Sequence, residues 1–317
     1  MAVRGHERWI ARNVRSDIAD DWSWVMGHRS LGGNNLSYHY SSGVEPLKDV
    51  TVDLTGGLRT ALLGANGSGK TTLLRILAGS LAPAGGQVTV DGVPLQQDRR
   101  GLRSHRQTVQ LVLQNPDDQL FSADVSHDIA FGPANLGLTP HEIMERVQET
   151  LSLLALEELA QRPTHELSYG ERKRVTIAGA MAMKPCLLLL DEPTAGLDPA
   201  GVEEMFDALE RLEQSGTTVI LSTHDTSLAF GWADCVSVLE SGYAHQGSTS
   251  AIFRDLELLQ RARLRPPWPV DLMRELTSRT GIAEGRQVPR NAPDFARWID
   301  EALARRPTQS GSQGGAR

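Results

Sequence analysis

GANGSGKTT, residues 64–72, decides how the chain is read. Gly64, Gly69, Lys70 and Thr71 stand at the spacing G-x-x-x-x-G-K-[ST]. An apolar run at 60–63 leads in, and a helical repeat of Leu73, Leu74, Ile76 and Leu77 leads out. Strand, loop and helix is the setting a phosphate-binding loop needs. Glycines let successive backbone N–H groups wrap a phosphate chain where a Cβ would clash. The helix beyond offers its positive end to the same anion. In this reading Gly64, Ala65, Asn66, Gly67, Ser68, Gly69, Lys70, Thr71 and Thr72 line the phosphates of the nucleotide. Lys70 reaches the β- and γ-phosphates, and the Thr71 hydroxyl holds Mg²⁺. The loop predicts a nucleoside triphosphate and leaves open what its energy is used for.

Composition narrows the classes. The 317 residues carry a net charge of −7 with 22% charged residues, so no global basic field points to nucleic acid. Cys186 and Cys235 form neither a disulfide framework nor a metal-ligand spacing, which suits a reducing compartment. Apolar runs such as 186–190 fall far short of the roughly 18 to 20 residues of a membrane span. The N-terminus lacks the apolar stretch of a secretory signal. A membrane role therefore requires a membrane partner. Within residues 1–30, Arg4, Arg8, Arg12 and Arg15 interleave with Trp9, Ile10, Val14 and Ile18. This is either a basic amphipathic face for an anionic membrane or a solvated extension, since Asp17, Asp20 and Asp21 follow.

Along the chain, strands are expected at 35–40 and 50–54, with a turn at 41–46. Tyr40 fits either a core position or a ring stacked on a base. A strand at 87–91 precedes a β-branched and leucine run at 108–113 that ends at Gln114. Helical patterns then dominate 117–180, at 125–131, 141–156 and 169–183, and read as an α-helical subdomain inserted into an α/β core. Leu167, Ser168, Tyr169, Gly170 and Glu171 stand at the start of the last of these helices. The apolar strand 187–190 ends in Asp191 and Glu192, which delivers two carboxylates to the carboxyl edge of a parallel sheet. Asp191 is the candidate Mg²⁺ ligand and Glu192 the candidate base for the attacking water. PTAGLDP at 193–199 is a turn-rich loop before a helix at 200–213. A strand at 218–221 runs into His224, at the same edge as Glu192 and Lys70, where a γ-phosphate contact is expected. Two short strands within 235–247 follow. A helix at 250–264 is expected to break at Pro266, Pro267 and Pro269 and to resume at 271–278. A last amphipathic helix spans 293–305, and the low-complexity tail 307–317 is expected to be disordered.

Taken together, these motifs resemble the ATPase subunit of ATP-binding-cassette (ABC) transporters, over about residues 31–247. GANGSGKT looks like Walker A, Gln114 the Q-loop, LSYGE the signature, LLLLDE Walker B, AGLD with Asp198 the D-loop, and His224 the H-loop. Tyr40 sits where that family has its adenine-stacking aromatic. The resemblance implies a P-loop α/β fold and two chains paired head to tail. Each ATP is then held between one chain's P-loop, with Gln114 helping to hold Mg²⁺, and the other chain's signature. Ser168 and the Gly170 N–H would meet the γ-phosphate in trans. Lys70, Glu192 and His224 carry the catalysis. The usual signature has Gly where Tyr169 stands and Gln where Glu171 stands, so Glu171 brings an extra negative charge near a phosphate site.

QNPDDQLF at 114–121, DIAFGP at 128–133, ELSYGERKR at 166–174 and ELLQRARLRP at 257–266 are similar to the cobalt/nickel ATPases of energy-coupling-factor importers. That likeness implies a transmembrane coupling protein docked near 114–121, a small membrane protein that captures substrate, and a peripheral place at the cytoplasmic face of the membrane. The ATPase pair is expected to be a homodimer, with a heterodimer as the alternative. The organisation follows: an extension at 1–30, the cassette at 31–250, a helical extension at 251–306 for dimer contacts or core cover, and the tail. The transported metal is not expected to bind this chain, because its nine histidines are scattered. Two further readings are a subunit serving another micronutrient such as biotin, and a soluble non-transport ABC ATPase. One cassette and an acidic balance argue against the second.

Overall fold

The computed structural model describes residues 28–280 and 288–304. The expectations for residues 1–27 and 305–317 lie outside the described residues. Strands run β1 (Leu31–Tyr38), β2 (Leu47–Leu54), β3 (Thr60–Leu63), β4 (Gly85–Val90), β5 (Val93–Pro94), β6 (Val109–Val112), β7 (Leu187–Asp191), β8 (Thr218–Thr223), β9 (Cys235–Glu240) and β10 (Tyr243–Ser248). Helices run α1 (Lys70–Leu77), α2 (Arg99–Thr108), α3 (Val125–Leu136), α4 (Pro140–Leu153), α5 (Tyr169–Met181), α6 (Pro199–Gln214) and α7 (Thr226–Trp232). The chain continues through α8 (Thr249–Arg254), α9 (Leu256–Arg261), α10 (Trp268–Thr280) and α11 (Ala292–Ala304).

Two sheets share the work. An antiparallel sheet has the order β2-β1-β4-β5, and a six-stranded sheet has the order β10-β9-β3-β8-β7-β6. In the second, β9, β3, β8, β7 and β6 are parallel and β10 alone runs against its neighbour. Parallel strands are covered on both faces, which is why β7 is a run of four leucines rather than an alternation. Successive leucines still face opposite ways. Leu188, Leu190, Val219 and Leu221 join the core beneath α3 to α6, while Leu187, Leu189 and Ile220 pack with Leu73, Leu74 and Ile76 of α1 and with the antiparallel sheet. The helices α3, α4 and α5 lie between β6 and β7 in the chain, and α3 packs on both α4 and α5.

Several element boundaries depart from expectation. The first strand begins at Leu31 and ends at Tyr38, because Gly32 and Gly33 pair with β2 and β4 despite having no side chain to bury. The helix expected over 250–264 is two, divided at Asp255, whose carboxylate accepts from Leu258 N at 2.9 Å and caps α9. Pro269 does not break a helix; it sits in the first turn of α10, where a missing N–H costs no intrahelical bond. Pro133 likewise stands inside α3, which runs on to Leu136. The helix α2 was not expected. Its composition is charged, and only His105 is buried. Among the described residues no helix is long and apolar enough to cross a membrane.

Candidate functional site

The carboxyl ends of β3, β7 and β8 come together at one edge of the parallel sheet. Their register is Leu63 opposite Thr223 and Asp191 opposite Ser222. The loop after β3 therefore faces the acids after β7 and the histidine after β8.

The loop conformation explains its glycines. Gly67 and Gly69 have φ of 80° and 104°, in the left-handed region that side chains avoid. A Cβ on Gly64 would lie 2.3 Å from Ser68 Oγ and 3.0 Å from the Leu239 carbonyl. The helix α1 starts at Gly69 with no side-chain cap, and its first i→i−4 bond runs from Leu73 N to Gly69 O at 2.8 Å. The amides of Lys70, Thr71 and Thr72 thus precede the helical ladder. Ser68 Oγ is buried without a hydrogen-bond partner. Uncapped amides, an orphaned hydroxyl and a cradle that a Cβ would fill suit a phosphate chain.

Around this loop the charged groups are paired. Lys70 is buried; its Nζ donates to Gly64 O at 2.7 Å and lies 3.4 Å from Glu192 Oε1. Thr71 Oγ1 donates to Asp191 Oδ2 at 2.6 Å, and Ser222 Oγ donates to Asp191 Oδ1 at 2.5 Å. Thr71 and Asp191 are hard oxygen donors side by side, the chemistry that fits Mg²⁺. His224 Nδ1 sits 3.1 Å from both carboxylate oxygens of Glu192. Glu192 is buried between His224 and Lys70. Its backbone φ of 48° is left-handed, and its N–H donates to Ser222 O and Oγ, each at 3.1 Å.

The remaining expected residues fall in four places. Tyr40 is 39% exposed beside the loop, its hydroxyl 2.8 Å from Thr72 Oγ1. Gln114 is exposed after β6; no hydrogen bond joins its side chain to Thr71 or Asp191, and its carbonyl lies 3.5 Å from the Tyr169 hydroxyl. The signature group lies elsewhere. Leu167 is buried, while Ser168 is exposed and caps α5. Ser168 Oγ accepts from Glu171 N at 3.2 Å, and Glu171 Oε2 accepts from Ser168 N at 2.7 Å. Gly170 has room, with only Leu197 at 3.5 Å from a built Cβ. Among the described residues no hydrogen bond or ion pair links 168–171 to 64–72. Asp198 caps α6 by accepting from Gly201 N at 2.7 Å.

The charge that Glu171 introduces is engaged locally. Burial raises its pKa, but hydrogen bonds from Ser168 and the nearby Arg162 and Arg174 outweigh that and hold the carboxyl below its usual range. Arg162 Nη1 is 3.1 Å from it. Sequence reasoning missed Ser222 and Lys173. Lys173 is buried, and burial pushes its ammonium down to about 8 against the opposing pull of Glu192 and Asp191. Neither carries a sequence signal, since a serine in a strand and a lysine in a helix ordinarily face solvent. Among the described residues no cluster of His, Cys, Asp and Glu could hold a separate metal ion.

A glycine-rich loop feeding a helix from the carboxyl edge of a parallel sheet puts the chain in the class of P-loop nucleotide-binding proteins. The family model "ABC transporter" matches residues 47–195. An ABC transporter ATP-binding protein of Streptomyces coelicolor is 48% identical over 260 residues, 82% of this chain and 92% of that one. The cobalt import ATP-binding protein CbiO of Rhodobacter capsulatus is 45% identical, over 76% of this chain and 87% of that one. The energy-coupling factor transporter ATP-binding protein EcfA of Methanosphaera stadtmanae is 41% identical, over 83% and 95%. The solved structure of cbiO1 from Clostridium perfringens, described as part of the ABC transporter complex cbiONQ, superposes with a TM-score of 0.67 at 38% identity, over 79% of this chain and 95% of that one. The chain belongs to the ABC transporter ATP-binding family, and it is an ATPase of that family.

Proposed function

We propose that this chain is the ATP-hydrolysing subunit of an energy-coupling-factor importer that carries cobalt or nickel ions. One observation carries the hydrolysis: Lys70, Thr71, Asp191, Glu192 and His224 converge on one sheet edge through contacts of 2.6 to 3.4 Å. The cobalt import relative supports the importer and the metal, and the cbiO1 neighbour supports a place in a transporter complex. In this reading residues 64–72 bind the phosphates, Tyr40 stacks on adenine, and Thr71, Asp191 and Gln114 hold Mg²⁺. The ion, when bound, neutralises charge on the phosphates. Glu192 takes a proton from the attacking water, and His224 orients the Glu192 carboxylate and contacts the γ-phosphate.

The signature acts across a dimer of two such chains. Support comes from the exposure of Ser168 and, among the described residues, the lack of a hydrogen bond or ion pair from the signature to its own P-loop. ATP then closes the pair, since its charge is satisfied only when both chains contribute, and hydrolysis releases it. The transmembrane coupling protein docks beside the Q-loop, where Phe121 and Phe131 stand 63% and 50% exposed, ring centroids 4.5 Å apart. The division into a cassette at 31–250 with helical insert 117–180 and extension 251–306 belongs to the same reading, as does peripheral attachment at the cytoplasmic face.

Two experiments test it. Glu192→Gln should lose about 10²- to 10⁴-fold in turnover while retaining ATP; wild-type turnover would remove Glu192 as the base. A tagged chain purified from detergent-solubilised native membranes should bring down a multi-span coupling protein and a small membrane protein. Recovery of ribosomal or DNA-repair proteins without a membrane partner would favour a soluble ABC ATPase instead.

A further inference from the structure

Lys173 lies in the second turn of α5, the helix that the signature opens, and its side chain is buried. Its Nζ donates to three main-chain carbonyls: Glu192 at 2.9 Å, Pro193 at 2.9 Å and Ala195 at 2.8 Å. An ammonium has three N–H donors, so these carbonyls use them all. The Tyr169 ring covers the same group, its centroid 5.3 Å from Nζ. Tyr169 in turn packs on the D-loop, 3.0 Å from a Cβ built on Gly196.

The acceptors belong to the stretch that starts at the candidate base. Glu192 is a non-glycine residue held at φ 48° immediately before a proline, a conformation that persists only when its surroundings enforce it. Its N–H is fixed from one side by Ser222 of β8. Its carbonyl is fixed from the other side by Lys173. Between these anchors its carboxylate meets His224 and Lys70. Burying an ammonium is costly, and the hydrogen bonds it makes here are to the backbone of this one loop.

We propose that Lys173 is a positioning residue for ATP hydrolysis: its side chain pins the 192–195 main chain and thereby aims the Glu192 carboxylate. The proposal rests on Glu192 being the base. It also makes α5 a direct mechanical link between the signature at one end and the Glu192 loop beneath it.

The test uses the full chain with Lys173→Met, Lys173→Gln and Glu192→Gln, alone and combined, measuring steady-state hydrolysis and, separately, binding of a non-hydrolysable ATP analogue. Lys173→Met should lower kcat about 10- to 100-fold, the scale of a small misplacement of a reacting group, with analogue affinity within about twofold. Lys173→Gln, which keeps an amide donor, should fall between it and wild type. In the Glu192→Gln background, Lys173→Met should lower the residual rate by less than about twofold, because the residue acts through Glu192. Should Lys173→Met fail to fold, Lys173→Gln decides: reduced kcat at unchanged affinity supports the proposal, and wild-type kcat overturns it. Independent, multiplicative losses in the double variant also overturn it. A Glu192→Gln enzyme as fast as wild type overturns the base assignment and this proposal together. A slow Glu192→Gln beside a wild-type-like, folded Lys173→Met overturns this proposal alone.

Discussion

Two helix N-termini in this molecule are built on opposite principles. The start of α1, at Gly69, has no side-chain cap, and a buried hydroxyl of Ser68 beside it lacks a partner. The start of α5, at Ser168, closes a reciprocal capping box with Glu171, and Arg162 ties down the remaining carboxylate oxygen. Both are phosphate-binding positions in our reading. One depends on an outside anion to satisfy its amides. The other holds its shape by itself, so that it can be presented to a ligand bound by a different chain. Tyr169 and Glu171, the two departures from the usual signature, serve that self-sufficiency: Glu171 completes the box, and Tyr169 rests on Lys173 and Gly196.

The largest break in the contrast is at the uncapped end. Lys70→Ala removes a charged donor to phosphate and should weaken nucleotide binding by about 10- to 100-fold, the equivalent of one charge-assisted hydrogen bond. Titration with a fluorescent ATP analogue measures it, and unchanged affinity would refute the loop assignment. At the capped end, Ser168→Ala should cost about 1 kcal/mol of stability and lower turnover, while leaving the affinity of the isolated chain's own P-loop alone. Denaturant unfolding beside the same titration separates the two effects. The smallest change sharpens the comparison. Glu171→Gln keeps a capping oxygen but loses the pairing with Arg162, at a cost of about 0.5 kcal/mol for a partly exposed pair. Because the folded pKa of Glu171 is lowered, this wild-type advantage is present above the ordinary carboxyl value of 4.5 and disappears as pH falls through the folded value. Unfolding curves of both proteins at pH 7 and near pH 3 show whether the gap closes.

The site was more legible than its scaffolding. Gly64, Gly69, Lys70, Thr71, Asp191 and Glu192 are readable because their chemistry needs particular residues at particular spacings, and the strand runs at 60–63 and 187–190 bring them to one edge. Ser222 and Lys173 were not readable, because their importance lies in what the fold places opposite them: Asp191 for one, three carbonyls for the other. The helix α2 escaped because Arg99, Arg100, Arg103 and Arg106 leave no apolar stripe, although Asp98, which accepts from Gly101 N at 2.6 Å, is a cap visible in the sequence. The break at Asp255 escaped for the converse reason. The apolar repeat of Ile252, Phe253, Leu258 and Leu259 continues across it, and only the conformation of Asp255, with ψ near 81°, ends one helix and starts the next.

The left-handed backbone at Glu192 has a consequence for anyone selecting variants of this protein. Replacement by glycine or asparagine suits that conformation better than a glutamate does. It also removes a carboxylate that is buried beside Lys70 and His224. A library screened for heat resistance alone should therefore accept such replacements at position 192 only where relief of the backbone strain outweighs leaving Lys70 buried without its carboxylate, whereas in our reading a screen that couples survival to turnover should hold the glutamate in place.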